Sequence, residues 1–324
     1  MKHKKGKKKK SITLNIIIGL IAVWLFAGLF LFFGNNQKPA SPSSPMGIFV
    51  SSENPKQGDT VFIKVKSDAK NVSGNFDSEK LVFYKKANSS DWISFLGIDA
   101  DQKPGDYKID INEAGGQVAT KDIKVSLASF SAEAPAPVAT GISNTQAVDN
   151  IRKNDNPAIN KVLSNFTLAP YFSQPFSYPL NSMKKSGFSF GQFIGFGSSA
   201  LQHLGVDLRA SEKTNIYSVN DGKVVATLNL ENYGKTVIVD HGLDIFSMYL
   251  HLEKFDVSDG QMVKKGQVIG LSGDTGYTTA PHLHFSMRVD GTRVDPVSFI
   301  ETSQQIGGSS IAASISNAVY NFFK

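Results

Sequence analysis

The sequence predicts a mainly β protein with an N-terminal transmembrane helix, a small β-sandwich domain and a β-rich C-terminal domain. Short runs of alternating apolar and polar residues recur from residue 47 to about 130, and again from about 179 to 300. Gly, Asn and Asp separate these runs, which is typical of strands joined by turns. A continuous uncharged stretch precedes both regions, and this stretch predicts the transmembrane helix.

The N-terminal 46 residues predict a membrane anchor. Residues 1–11 form a basic tail, residues 12–33 an uncharged stretch of 22 residues, and residues 34–46 a linker rich in Pro, Ser and Asn. A helix of that length crosses a hydrocarbon core of about 30 Å. Because the lysines precede the stretch, we expect a single-pass protein of the cell membrane with a cytoplasmic N-terminus and extracytoplasmic domains. The alternative is a cleaved signal peptide.

Charge and cysteine content limit the function classes. The formal net charge is +6, but seven lysines lie in the first ten residues, so the remaining chain has 34 − 7 = 27 basic and 28 acidic residues. A neutral body argues against a nucleic-acid partner. The chain has no cysteine. Its domains therefore have no disulfides, and a metal site would use His and carboxylate ligands.

The alternating runs divide the rest of the chain. We predict an Ig-like β-sandwich over residues 47–130, which contains no cluster of chemically active residues. Residues 131–178 form a linker with one short helix, and residues 301–324 form a C-terminal tail. The domain at 179–300 contains two similar segments, 217–225 and 257–270, each with a D-G pair between apolar runs. D-G favours tight turns, so we predict two related hairpins packed on each other.

Histidines are concentrated in this last domain. Five of the six lie between residues 203 and 284. His203 and Asp207 share a face on either a helix or a strand, and an imidazole with a carboxylate forms a plausible half of a zinc site. His282 and His284 point to the same face of a strand. One of them can bind a metal while the other reaches a water molecule or substrate on it.

Two further histidines are less informative alone. His251 lies in an alternating strand pattern, and a single histidine in a strand is more often structural than catalytic. His241, in Asp240-His241-Gly242, lies at a turn, where we expect a structural role.

The order of motifs in this domain resembles the lysostaphin/LytM-type zinc endopeptidases that cut peptidoglycan cross-bridges. The resemblance covers about residues 179–299 and includes seven motifs in the same order. They are H-L-G-V-D (203–207), D-G-K-V-V (221–225), Y-G-K-T-V-I-V-D-H-G (233–242), Y-L-H-L (249–252), D-G-Q-M-V-K-K-G-Q-V-I-G (259–270), G-D-T-G (273–276) and P-H-L-H-F (281–285).

The resemblance implies a role for each residue of the site. It implies that one Zn²⁺ per chain is bound by three ligands (His203, Asp207 and His284), and that a catalytic pair (His251 and His282) supplies a general base and an oxyanion stabiliser. Three protein ligands leave the fourth position of a catalytic zinc open for water. We favour His282 as the base, although spacing does not decide between the two. The implied substrate is peptidoglycan.

Two positions depart from the family pattern. Ser286 stands where the family often has an acidic or amide residue, and Phe190-Gly191-Gln192-Phe193 lacks the arginine of an F-G-x-R motif. Neither position supplies a metal ligand, so the departures concern the substrate.

Two other functions compete with this interpretation. A non-catalytic LytM-like protein would bind the wall or regulate another hydrolase, but such domains generally lose metal ligands. A lipoyl or biotinyl carrier shares the G-Q-x-V-x-x-G-Q-x-I-G pattern, but it needs a lysine at a hairpin tip and no histidine cluster. The sequence leaves three bonds open as the one cut: a D,D cross-link, a stem-peptide bond or a glycine bridge. It also leaves the oligomeric state open.

Overall fold

The computed structural model describes residues 47–306, except 114–115, 117, 134–142, 183–184, 186, 188 and 196–199. The basic tail (1–11), the transmembrane helix (12–33) and the linker (34–46) predicted from the sequence lie outside this part, as does the C-terminal tail beyond residue 306. Within the described ranges, no helix has the length and apolar character needed to span a membrane. These ranges are dominated by strands, which confirms the prediction of a mainly β protein.

Residues 48–125 form two antiparallel four-stranded sheets packed face to face, with strand orders β1-β2-β6-β5 and β4-β3-β7-β8. Alternation explains the core between them, because every second residue of a strand points to the same face. The strands are β1 (Ile48–Val50), β2 (Thr60–Lys66), β3 (Val72–Phe76), β4 (Glu79–Leu81), β5 (Tyr84–Lys85), β6 (Asp91–Gly97), β7 (Gly105–Glu113) and β8 (Val118–Val125).

The connecting region contributes one strand and a helical segment. Strand β9 (Ala132–Glu133) pairs in parallel with β10 (Phe193–Ile194), which also pairs with β11 (Leu201–Gln202). The helical segment consists of α1 (Asn144–Asn150), a π-helical turn (151–155) and α2 (Asn156–Leu163). Ser143 caps α1 by accepting the N–H of Gln146 at 3.2 Å, as expected for an N-cap serine.

The C-terminal region is built on a nine-stranded sheet. Its main path is β12-β19-β16-β15-β14-β17, with β18 joining β16 to β13, and β20 pairing with β19. Helix α3 (Pro296–Ile306) follows the last strand. The strands are β12 (Val206–Leu208), β13 (Asn215–Tyr217), β14 (Gly222–Leu230), β15 (Gly234–Asp240), β16 (Ile245–Phe255), β17 (Met262–Val263), β18 (Val268–Ser272), β19 (Leu283–Val289) and β20 (Thr292–Val294).

The two D-G segments pair with each other instead of forming two hairpins. Strand β13 pairs with β18, and the start of β14 pairs with β17, so each of these two pairs joins a strand of one segment to a strand of the other. Asp221 explains part of this arrangement. Its carboxylate accepts the N–H of Lys265 at 2.8 Å and the ammonium of Lys264 at 2.9 Å, both in the other segment. The predicted pair of hairpins is therefore wrong in its strand pairing.

The sheet β1-β2-β6-β5 is covered on both faces. Alternate residues of β2 and β6 enter the sandwich core, while Phe62, Ile93 and Phe95 join the core of the C-terminal region. There the ring of Phe95 lies 6.1 Å from that of Phe299 on α3. A Cβ on Gly97 would lie 2.8 Å from the carbonyl oxygen of Val289. The sandwich thus packs directly on the region that carries the histidines.

Candidate active site

Strand register brings the predicted metal ligands together. Strands β12 and β19 are antiparallel, and Asp207 lies directly opposite His284. Side chains at opposed positions lie on one face of a sheet with Cβ atoms about 5 Å apart. His203 precedes β12 and reaches the same point. All three side chains are buried, with 6–9% of each residue exposed.

The three ligand atoms lie within hydrogen-bond distance of one another. His203 Nε2 is 3.0 Å from Asp207 Oδ1 and 2.8 Å from His284 Nδ1. His284 Nδ1 is 3.0 Å from Asp207 Oδ1. Ligands on a tetrahedral zinc with bonds of about 2.0 Å are about 3.3 Å apart. The observed spacing is therefore close to that around a single ion.

Backbone groups fix the orientation of His203. Its Nδ1–H donates to the carbonyl of Ser189 at 3.1 Å, and its Nε2 points to Asp207 and His284. Main-chain bonds from Gly191 N to His203 O and from His203 N to Gln192 O, both 2.7 Å, hold the same segment in place. Carbonyl partners of this kind are typical of metal-binding histidines.

His251 occupies a bulge where β16 changes partners. Residues 245–250 pair with β19, whereas residues 252–255 pair with β18. Between them His251 has a φ of +61°, in the left-handed region that non-glycine residues adopt infrequently. Its Nδ1–H donates to the carbonyl of Thr275 at 2.8 Å, which leaves Nε2 as an acceptor. Burial lowers the pKa of His251 to about 3, so its ring is neutral.

His282 lies beside the ligand group. It is more exposed than the other three histidines of the site, His203, His251 and His284. Its Nδ1–H donates to the carbonyl of Ala280 at 2.8 Å, and its Nε2 lies 3.6 Å from Asp207 Oδ1. The ring centroids of His282 and His251 are 4.9 Å apart. Burial works against the charged form of His282, but the hydrogen bond and charge of Asp207 outweigh it and raise the pKa.

Electrostatics favour an ionised Asp207. Burial opposes ionisation, but His203 and the hydrogen bonds from the neighbouring histidines outweigh it and hold the pKa of Asp207 well below its usual value. Burial and His203 lower the pKa of His284, which favours its neutral form. A carboxylate and neutral imidazoles are the forms that bind zinc.

The donor chemistry fits a metal ion. With Nδ1 of His203 bonded to a carbonyl, its Nε2 lone pair faces Nδ1 of His284 at 2.8 Å. Two lone pairs at that distance repel each other unless a proton or a cation lies between them. His203, Asp207 and His284 also form the group of potential metal ligands identified within the described residues. These residues would hold the ion, and their role as ligands remains a prediction.

Two positions noted in the sequence have structural roles. His241 is fully buried, donates Nδ1–H to the Asp221 carbonyl at 2.8 Å, and has Nε2 2.7 Å from Ser247 Oγ. It does not line the cleft described below. Ser286, one of the departures from the family pattern, donates its hydroxyl to the carbonyl of Leu204 at 2.7 Å. Ser286 thus holds the His203–Asp207 loop against β19.

The site opens into a cleft of about 240 Å³ that includes residues the sequence did not point to. Helix α1 and the π-helical turn supply Ala147, Val148 and Ile151 as one wall. Their apolar pattern predicts an amphipathic helix, but no local signal places that helix at the cleft. Asn232 also lines the cleft. The carbonyls of Ser189, Thr275 and Ala280 were missed because backbone groups have no sequence signature.

Comparisons with known proteins find similarity over the region that contains this site. A family model described as Peptidase family M23 matches residues 201–296. The peptidoglycan DD-endopeptidase ShyA of Vibrio cholerae is 44% identical over 93 residues, which cover 29% of this chain and 22% of that protein. Lysostaphin of Staphylococcus simulans is 36% identical over 131 residues, covering 38% and 26%. The chain therefore spans about a quarter of the length of these two curated relatives.

Similarity to solved structures extends beyond the C-terminal region. The crystal structure of a putative peptidase M23 from Pseudomonas aeruginosa is 26% identical, with a TM-score of 0.55, and the match covers 76% of this chain and 96% of that one. This coverage extends well outside residues 201–296.

Proposed function

Because residues 201–296 belong to peptidase family M23 and are of the lysostaphin/LytM type, we propose that this chain is a zinc endopeptidase that hydrolyses peptide cross-links of peptidoglycan. One observation carries the proposal. The three predicted ligand residues and two further histidines, His251 and His282, line the same cleft. A domain that had lost catalysis would not need His251 or His282 in this position.

A zinc ion bound by His203, Asp207 and His284 would polarise the scissile carbonyl and lower the pKa of a water molecule. His282 is the better placed base. Its Nε2 faces the ligand group, it is the more exposed of the pair, and Asp207 stabilises the imidazolium that forms when Nε2 takes a proton. The same Nε2–H can then deliver that proton to the leaving amine.

His251 has a complementary role. Its Nε2 is an acceptor in the neutral ring, so it can orient the attacking water through a hydrogen bond. It could stabilise an oxyanion only after gaining a proton, and burial disfavours that step. We therefore assign proton transfer to His282, and to His251 the positioning of the attacking water.

Hydrolysis of purified peptidoglycan by the full chain tests the function. Zinc-loaded protein should release peptide fragments with new amino termini, detected by mass spectrometry, and a chelator should abolish the reaction until zinc is restored. If fully zinc-loaded protein cuts no cross-link, the chain is instead a wall-binding or regulatory relative.

We also propose that residues 12–33 anchor the chain in the cell membrane with the C-terminal domains outside the cytoplasm. The absence of native cysteine allows a direct test. Single variants Lys5→Cys and Ser44→Cys should differ in labelling by a membrane-impermeant thiol reagent in intact cells, with only the second labelled. Labelling of a secreted, shortened chain would favour the cleaved signal peptide.

A further inference from the structure

The first predicted metal ligand is held by a loop, residues 189–195, that precedes the region matched by the family model. Gly191 N–H donates to His203 O, and His203 N–H donates to Gln192 O, both at 2.7 Å. The ring Nδ1–H of His203 donates to Ser189 O at 3.1 Å. Both main-chain groups and one ring nitrogen of His203 are therefore bonded to this loop.

His203 depends on this loop more than the other two predicted ligands do. Asp207 lies on β12 and His284 on β19, and the two residues face each other in the register of the paired strands. His203 lies between β11 and β12, so it is not itself part of a strand. A flexible ligand has to be ordered when the metal binds, and that cost lowers the affinity. The loop therefore contributes to metal affinity by holding His203 in place beforehand.

The loop is itself paired with the chain segment that follows the sandwich. Strand β9 lies beside β10 in parallel. Phe193 N–H donates to Ser131 O at 2.8 Å, and Gly195 N–H donates to Glu133 O at 2.9 Å. Because these bonds use main-chain groups, they fix the backbone of the loop directly. The segment 131–133, which the sequence predicts only as part of a linker, thus completes this small sheet.

A side-chain ring reinforces the pairing. The φ angle of Gly191 is +79°, in the left-handed region that glycine adopts readily. A Cβ at this position would overlap the ring of Phe130. The ring therefore lies against the backbone of Gly191, the residue whose N–H is bonded to His203.

Phe190 links Phe130 to the sandwich. The residue is 8% exposed, and its ring meets that of Phe130 edge to face, with the ring centroids 6.3 Å apart. A Cβ on Gly58 would lie 2.6 Å from Cε1 of Phe190. Gly58 N–H donates to the carbonyl of Ile98 at 2.8 Å, which ties Gly58 to the sandwich. A continuous set of contacts therefore runs from the sandwich through two rings to the loop.

Building on the proposed zinc site, we propose that Phe130 is a positioning residue for His203. It acts through Gly191, while residues 131–133 act through β10, and together they hold the loop in the conformation that presents His203 to the metal. The sandwich then serves the peptidase as the support of one metal ligand. Phe130 itself does not line the cleft, so its effect reaches the metal only through the loop.

Zinc affinity of the full chain tests this role. In Phe130→Ala, zinc should bind about tenfold more weakly than in the wild type, as is typical when an outer-shell partner of a ligand is lost. Competition with a chelator of known affinity measures the difference. At saturating zinc, peptidoglycan hydrolysis should return to the wild-type rate, because the ligands and His282 are unchanged. Phe130→Leu keeps an apolar contact with the loop and should recover most of the affinity.

Hydrogen exchange of the full chain, measured with and without zinc, gives a readout that does not depend on activity. Phe130→Ala should speed the exchange of the His203 and Gly191 amides, because their hydrogen bonds belong to the loop. Amides of β2, in the sandwich, should exchange as in the wild type. An equal increase in β2 would show a general loss of fold and would contradict the positioning role.

Phe49→Ala is the matched control. It removes the same type of side chain from β1, where the ring of Phe49 lies 6.5 Å from that of Phe62 on β2. Zinc affinity and the exchange of the His203 amide should equal those of the wild type.

A substitution on the other side of the contact gives a second test. Gly191→Ala should displace the ring of Phe130 and weaken zinc binding as well. Because both substitutions disturb one contact, their effects on zinc affinity should not multiply in the double variant. Effects that multiply would show that Phe130 does not act through Gly191.

The outcomes separate this proposal from the proposed function. If Phe130→Ala and Gly191→Ala bind zinc as tightly as the wild type, the positioning role is wrong and the peptidase proposal stands. If the wild-type chain binds no zinc, or if Asp207→Ala leaves zinc binding unchanged, the proposed zinc site itself fails.

Discussion

The ring of His251 is held by the carbonyl of Thr275, which accepts its Nδ1–H at 2.8 Å. Thr275 is itself fixed by its hydroxyl, which donates to Leu252 O at 2.7 Å and accepts Lys235 N–H at 2.9 Å. The bulge in β16 and the loop that carries Thr275 therefore form one unit. This unit sets the direction of His251 Nε2.

Thr275→Val should loosen this unit while leaving the metal ligands in place. The valine keeps the shape but loses both hydroxyl contacts, so the Thr275 carbonyl and His251 should lose their fixed positions. Loss of an outer-shell partner typically costs 10–100-fold in activity, and we expect about tenfold in kcat. Peptidoglycan hydrolysis and zinc content measure the two effects.

Thr120→Val in the sandwich is the control for that substitution. Thr120 also uses its hydroxyl in a side-chain contact, to Asp110 at 2.7 Å, but it is exposed and lies in another sheet. Its kcat should equal that of the wild type. A Thr275→Val enzyme with normal kcat would show that the Thr275 contacts do not position His251.

Asp207→Ala should weaken metal binding strongly. The substitution removes one of three ligand atoms and leaves the two histidines without the carboxylate between them. We expect zinc affinity to fall by more than the 10–100-fold that is typical for outer-shell changes. Zinc content after dialysis against a mild chelator measures it. Asp106→Ala, an exposed position in β7, should keep full occupancy, and an Asp207→Ala protein that does so would refute the ligand assignment.

The close contact between the sandwich and the C-terminal region predicts a sensitive glycine. A Cβ at position 97 would lie 2.8 Å from Val289 O and 2.9 Å from Thr292 Cβ. Gly97→Ala should therefore lower the free energy of unfolding by about 1–3 kcal/mol, as in other overpacked sites. Gly47→Ala has no neighbour within 4 Å and serves as the control. Equal urea midpoints for the two variants would contradict the contact.

The sequence predicts which residues could bind a metal better than it predicts which other residues line the cleft. The spacings of H-x-x-x-D and H-x-H put ligand atoms on shared faces, because side-chain direction follows strand periodicity. The bulge at His251 was not predictable, since alternation around Met248-Tyr249-Leu250-His251 reads as an uninterrupted strand. The D-G pairs mark turns, but which strands pair across them depends on distant partners such as Asp221 and Lys265. The placement of Val148 in the cleft is likewise a tertiary effect.

Buried His241 predicts a pH-dependent stability that is separate from catalysis. Burial lowers its pKa to about 4, below the value of about 6.5 in an unfolded chain. Between these values the unfolded chain binds the extra proton, so this contribution to stability is lost as pH falls from about 6.5 toward 4. Between about pH 7.5 and pH 5, this titration lowers the free energy of unfolding by about 2 kcal/mol.

His241→Gln removes that titration. The variant should be less stable than the wild type at neutral pH, because glutamine does not reproduce the packing of the buried imidazole. On acidification to about pH 5, its free energy of unfolding should fall by about 2 kcal/mol less than that of the wild type. Urea unfolding at both pH values gives the difference. Equal pH dependence in the two proteins would show that His241 does not titrate as its burial implies.

Replacement of the catalytic pair separates an enzyme from a wall-binding module. His282→Ala and His251→Ala should both retain zinc, because neither side chain belongs to the ligand group. Loss of a general base costs about 10²–10⁴ in rate, so we expect the larger loss for His282→Ala, mainly in kcat. The effect should appear in kcat and not in KM because the proton moves only in the transition state.

His241→Gln, which changes a histidine outside the cleft, should keep the wild-type kcat under conditions where it is folded. If both alanine variants hydrolyse peptidoglycan at the wild-type rate with zinc bound, the roles assigned to His251 and His282 are wrong, even though the family assignment of residues 201–296 would remain.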